Sequence, residues 1–311
     1  MTTLLVTNMA GLSHQMPAGH PEQIARLEAV LAALSDPAFD ALIRADAPPC
    51  TEDDLLLGHP PEHIAAVRAA MPEAGLSSLD PDTHASPGTW DAALKGVGGC
   101  LMAVDAVLSG RATNAFVATR PPGHHAEKTR AMGFCFFGNA AIAARHALDR
   151  HGLSRVAVVD FDVHHGNGTQ DILWDETRTL FISSHQMPLF PGTGSAGERG
   201  ASGNILNLPL PPNSGGPEMR AAYENRAFPA LRAFQPELIL VSAGFDAHRD
   251  DPLANLFWET EDFNWITRAL LDLADELCGG RVVSTLEGGY DLSALATAVA
   301  GHVTELMERT G

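Results

Sequence analysis

The chain has 311 residues, 45% hydrophobic and 19% charged, which is enough apolar material for a sizeable core and excludes global disorder. Its 38 Asp and Glu against 20 Lys and Arg leave a formal charge of -18, which argues against nucleic acid, whose phosphates need a basic patch. Cys50, Cys100, Cys135 and Cys278 are far apart and form no CxxC pair, so a disulfide framework and a thiolate zinc knot are both unexpected. No apolar run reaches the roughly 20 residues of a membrane span. No signal-peptide pattern opens the sequence, so a reduced cytoplasmic setting is expected.

Residues 4–6 read as a first short strand, followed by His20-Pro21-Glu22 and a helical pattern through Ile24, Leu27, Val30, Leu31 and Leu34 that Asp36-Pro37 ends. Residues 52–57 and 62–70 look like short helices, and 72–87 like a loop rich in Pro, Ser and Asp. A long helical pattern at 90–108 carries Gly96, Gly98 and Gly99, which lower helix propensity but permit close packing. Residues 115–119 form a strand, and a helix follows at 140–150. Further strands are expected at 156–159, 180–183, 238–243 and 282–286, with a long loop at 186–204 and an extended segment at 205–210 that Pro211-Pro212 closes. Helices are expected at 219–234, 262–278 and 292–307. Strands alternating with helices imply βαβ units, a parallel sheet and right-handed crossovers. No linker or internal repeat divides the chain, so one three-layer α/β domain is expected.

The stretch RVAVVDFDVHHGNGTQD at 155–171 organises the rest. Its apolar, β-branched run reads as a strand buried on both faces. Residues two apart on extended chain share a side, so Asp160, Asp162 and His164 face together at the strand's carboxyl end. That end is where open α/β sheets bind ligands. Two carboxylates and an imidazole there are costly without a cation. The bland alternative is a polar strand end that ties down a loop. Other strand ends carry Gly123-His124-His125, Gly244-Phe245-Asp246 and Glu287-Gly288-Gly289-Tyr290. Adjacent histidines can serve as acid and base, or merely cap a turn. A lone Asp is usually a turn former, and an isolated Tyr is usually a core aromatic. Aromatics in the glycine-rich loops at 133–137 and 190–194 can line an apolar slot, or can be ordinary loop packing.

Taken together, RPPGHHA (120–126), GFCFFGN (133–139), DFDVHHGNGTQD (160–171), FPGTG (190–194), SAGFDAHRDDPL (242–253) and LEGGYD (286–291) resemble the zinc-dependent histone deacetylase family. The form is nearest the class II branch and its bacterial amidohydrolase relatives, and HPE at 20–22 and DTHASPGT at 82–89 extend the match. The resemblance implies a catalytic domain over 1–311 with the arginase-deacetylase fold, an eight-stranded parallel sheet flanked by helices. It implies one zinc ion per chain, held by Asp162, His164 and Asp246. It implies a structural potassium ion held by the Asp160 side chain, the Ser183 hydroxyl and the carbonyls of Asp162, His164 and Ser184. The catalytic positions are His124, oriented by Asp160; His125, partnered by Asn167; and Tyr290 as an oxyanion donor. Asn at 167, where the class I branch usually has Asp, should leave His125 less basic. Gly133, Phe134 and Phe190 match the acyl-lysine channel, and Asp82 matches a rim carboxylate. Leu253 stands where acetylpolyamine-preferring relatives place glutamate, which favours acyl-lysine over acetylpolyamine. Substrates are then acylated lysine peptides or acylated small amines, with no nucleic acid or membrane, and a homo-oligomer is left open. An arginase-like ureohydrolase would need a bridged metal pair that fits poorly with adjacent histidines and EGGY. A non-catalytic acyl-lysine binder would be expected to lack a ligand or the Tyr.

Overall fold

The structure, a computed structural model, describes residues 2–309; Met1, Thr310 and Gly311 of the expected 1–311 domain lie outside the described residues. In chain order the first half is β1 (Thr3–Thr7), α1 (Ile24–Ala33), β2 (Ile43–Asp46), α2 (Glu52–Leu55), α3 (Pro61–Ala69), β3 (Ser77–Ser78), β4 (His84–Ala85), α4 (Thr89–Leu108), β5 (Asn114–Ala118) and α5 (Asn139–Asp149). The second half is β6 (Val156–Asp160), α6 (Asn167–Leu173), β7 (Thr179–Gln186), β8 (Ile205–Leu210), α7 (Gly216–Ala222), α8 (Phe228–Phe234), β9 (Leu238–Ala243), α9 (Thr260–Cys278), β10 (Val282–Leu286) and α10 (Leu292–Glu308).

Eight strands form one sheet in the order β2-β1-β5-β10-β9-β6-β7-β8, and its neighbouring strands pair in parallel. Alternate residues of one strand feed opposite cores. In β6, Ala157 and Val159 join the core that includes α1, α9 and α10, while Val156 and Val158 join the core under α4 and α5. A strand buried on both faces must be apolar throughout, which is why these strands read as continuous hydrophobic runs. In α4, a side chain at Gly98 would strike the Pro48 carbonyl and the Cys50 amide, so glycine lets this helix lie against the 48–50 segment.

Three local expectations change. β2 was not anticipated: its four residues, IRAD, form a mostly exposed sheet edge with no apolar run to announce it. The loop expected at 72–87 holds a two-stranded antiparallel ribbon of β3 and β4. The helix expected at 219–234 is interrupted by a π turn, Tyr223–Ala227, just before Pro229, which has no N–H to continue the ladder. That turn aims the Tyr223 hydroxyl at the Ser184 hydroxyl, 2.7 Å away.

Candidate active site

The carboxyl ends of β5, β6, β9 and β10 meet at one point. Asp160 ends β6, and Asp162 and His164 follow on the same loop, all buried. Asp246 comes from the turn after β9. Nδ1 of His164 lies 3.2 Å from Oδ1 of Asp162 and 3.1 Å from Oδ2 of Asp246. An ion bound tetrahedrally at about 2.0 Å spaces its ligands by about 3.3 Å, so this triangle matches a zinc-sized cation. Backbone amides hold the carboxylates in place. His164 N–H donates to Asp162 Oδ1 at 2.9 Å, Gly288 N–H to Asp162 Oδ2 at 2.8 Å and Val163 N–H to Asp246 Oδ1 at 2.9 Å. A side chain at Gly244 would strike Asp162, and one at Gly288 would strike both carboxylates, so the two turns must be glycine for this approach. Burial and the neighbouring Asp162 push the Asp246 carboxyl up to about 7. Despite burial, hydrogen bonds to the two carboxylates push His164 up to about 10. One nitrogen and two buried carboxylate oxygens suit a divalent cation.

Above this triangle, the His124 and His125 rings lie against each other, tilted by 42° with centroids 4.0 Å apart. Nδ1 of His124 is 3.0 Å from Oδ2 of Asp160. Burial works against a charge on His124, but Asp162 and Asp160 outweigh it and hold its pKa well above the ordinary value. His125 shows the opposite shift. Burial, then the charges on His124 and His164, hold its pKa well below the ordinary value. The amide of Asn167 donates from Nδ2 to Glu127 Oε1 at 2.8 Å, so its oxygen faces His125 Nδ1, 2.7 Å away. Nδ1 therefore carries the proton, and Nε2 keeps a free lone pair.

A cavity of about 240 Å³ opens over these groups, lined by Asp82, His125, Gly133, Phe134, His164, Leu189, Phe190, Leu253 and Tyr290. Phe134 lies edge-on to Tyr290, with centroids 5.9 Å apart, and Phe190 lies edge-on to His125 at 5.1 Å. Burial, helped by Asp246 and opposed by Arg26, holds the Tyr290 phenol well above its ordinary pKa, so it stays a donor. Of the residues proposed for potassium, Asp160 and Ser183 are paired neighbours on β6 and β7. The Ser183 hydroxyl also meets His185 Nδ1 at 2.9 Å.

Residues 20–306 match the family model described as histone deacetylase domain. The chain belongs to the histone deacetylase family. It is 40% identical to "Histone deacetylase 14, chloroplastic" of Arabidopsis thaliana, over 98% of this chain and 76% of that one. It is 44% identical to the "Histone deacetylase-like amidohydrolase" of Pseudomonas aeruginosa, over 78% of this chain and 65% of that one. The solved HDA15 HD domain superposes with a TM-score of 0.93 at 33% identity, covering 99% of this chain and 88% of that one. The sheet and its flanking helices are the arginase-deacetylase fold of that family.

This deacetylase-family site rests on a buried network with no signature in any one stretch of sequence. Arg26 donates to the carbonyls of Gly289 and Glu287, each at 2.6 Å, and its guanidinium lies 4.8 Å from the Tyr290 ring centre. Glu22 binds Arg26 at 3.1 Å and Arg120 at 2.5 Å, and all three are fully buried. Glu287 accepts from Gly123 N–H and His124 N–H at 2.7 and 3.1 Å, anchoring the histidine loop. Asp251 accepts from Tyr290 N–H at 2.7 Å. Of these charged residues Glu22, Arg120, Asp251 and Glu287 fall within the motifs and Arg26 does not, but nothing in the motifs says which carboxylate meets which arginine.

Proposed function

We propose that this protein is a zinc-dependent amidohydrolase that removes acetyl groups from acylated lysine, releasing acetate and a primary amine. The observation that carries the reading is the convergence of Asp162, His164 and Asp246 on the floor of a cavity walled by His125, Tyr290 and two phenylalanines. A zinc ion held by those three ligands would polarise the amide carbonyl and lower the pKa of water. His125 takes a proton from the attacking water at Nε2 and later returns one to the leaving amine. Asn167 keeps that nitrogen unprotonated by accepting from Nδ1. His124, held cationic by Asp162 and Asp160, offsets the negative charge that develops. The Tyr290 hydroxyl donates to the carbonyl oxygen as it becomes an oxyanion. The Asp160 side chain and the Ser183 hydroxyl, with the carbonyls of Asp162, His164 and Ser184, are the groups proposed to hold a structural potassium ion.

Phe134 and Phe190 accommodate the methylene stem of a lysine-like amine, which packs on apolar rings while its ends stay polar. Leu253 lines the mouth and offers no charge to a second ammonium, which favours acyl-lysine over acetylpolyamine. The test is turnover of zinc-loaded protein on an acetyl-lysine peptide and on acetylspermidine. Faster release of acetate from the peptide is expected. No release from either substrate would remove the hydrolase reading, and faster release from acetylspermidine would reverse the order.

A further inference from the structure

Three metal-type donors converge at the other end of the sheet, and the deacetylase reading uses none of them. Asp105 lies in the last turn of α4, His146 in the last turn of α5, and His151 two residues past the end of α5. Nε2 of His146 and Nε2 of His151 stand 2.8 and 2.7 Å from the same oxygen, Oδ1 of Asp105. Among the described residues, two groupings of His, Cys, Asp and Glu are tight enough to hold a metal ion; this is one, and Asp162-His164-Asp246 is the other.

We propose that Asp105, His146 and His151 form a second divalent transition-metal site that clamps the carboxyl ends of α4 and α5 together. Two imidazole nitrogens and one carboxylate oxygen suit zinc and its first-row neighbours, and leave coordination positions for water. Both helices direct the negative end of their dipole toward this point, where a cation is stabilised. The two imidazole nitrogens would each move about half an ångström away from Asp105 Oδ1 to reach the roughly 3.3 Å spacing of ligands around such an ion. The Asp105 and His151 side chains are 44% and 30% exposed, so an ion can reach them. Arg111 shares the adjoining cavity, with its Nε 3.1 Å from the Ser109 hydroxyl. That nearby cation makes this site the weaker of the two.

The site lies at least one strand length from the candidate active site, about 16 Å for five residues. The two are therefore separable. Intact protein dialysed against excess Zn²⁺ and measured by elemental analysis is expected to hold one more equivalent per chain than His151→Ala and than Asp105→Asn. Acetyl-lysine peptide turnover should be unchanged in both variants. Asp246→Asn, altered only at the active site, should keep the extra equivalent. Zn²⁺ should raise the melting temperature of the parent chain more than that of His151→Ala, because an ion bound only to the native state stabilises it. Equal zinc content in parent and His151→Ala, or an equal thermal response, overturns the proposal. The readout is a difference between variants, so it stands whatever the active site binds. A count near two per chain would then not, by itself, indicate the bridged metal pair of a ureohydrolase.

Discussion

The floor and the rim of the cavity are built in different ways. On the floor, Asp160, Asp162 and Asp246 are fully buried, His124 and His125 nearly so, and each is held by a partner from another segment or by a backbone amide. At the rim, Phe190 is 40% exposed, while Asp82, Phe134 and Leu253 are half-buried. A floor whose donors are fixed before substrate arrives stabilises a transition state without reorganising. A rim with slack selects among substrates by small free-energy differences. On the proposed function, the chemistry is therefore written into the floor, and substrate choice into the rim.

The contrast is broken most severely beneath the floor. Glu22 holds Arg26 and Arg120 with no access to water. Glu22→Ala leaves two buried guanidinium groups short of their counter-charge and should cost roughly 3–5 kcal/mol of stability, read from the denaturant midpoint. The same carboxylate sets an acid limit. Burial alone would raise its pKa, but Arg120 and His14 outweigh burial and hold it well below 4.5. A depressed carboxylate contributes stability that is present above its unfolded pKa and lost as pH falls. The parent chain should therefore weaken on acidification below about pH 4.5, and Glu22→Gln should show a flatter acid limb.

Tyr290→Phe is next in size. The ring keeps its packing on Phe134 and its place under Arg26, but the proposed oxyanion donor is gone. Turnover of an acetyl-lysine peptide should fall about 100- to 1,000-fold with zinc content unchanged. Full turnover would show that the phenol is a wall of the cavity and no part of the floor's chemistry.

Much of that floor was legible in the sequence, because Asp160, Asp162 and His164 follow an apolar run, although the strand ends at Asp160 and a bend, not extended chain, brings Asp162 and His164 together. Other parts were hidden for identifiable reasons. Gly166-Asn167-Gly168 reads as a break, yet α6 begins there, because the glycines stand where any side chain would strike Asp160 or the Ala126 carbonyl. Glu22 meets Arg120 across 98 residues, and Asp105 meets His146 across 41. Such pairings exist only once the sheet has set the helix positions. β2 is an exposed four-residue edge, so no hydrophobic period marks it.

Asn167→Asp changes the floor without emptying it. In its proposed role as base His125 works only while neutral, and its depressed pKa keeps it neutral below the ordinary imidazole value of 6.5. A cation in the ligand set pushes in the same direction. The acid limb of kcat/KM for the parent should therefore lie below pH 6.5. A carboxylate at 167 stabilises the imidazolium, so that limb should move to higher pH. An unmoved limb would mean that the profile reports some group other than His125.

The smallest change belongs at the rim. Leu253 lines the cavity mouth, and its N–H donates to Asp251 Oδ1 at 3.0 Å, so its backbone is held while its side chain borders the opening. Leu253→Glu places a carboxylate where the second ammonium of a polyamine would pass. A partly exposed ion pair contributes about 0.2–1 kcal/mol. The ratio of kcat/KM for acetylspermidine over acetyl-lysine peptide should rise by about 1.4- to fivefold, with peptide kcat little changed and the gain shrinking in high salt. A rise that survives high salt would mean that the substitution reshaped the slot, and a peptide kcat that collapsed with it would mean that rim and floor are coupled.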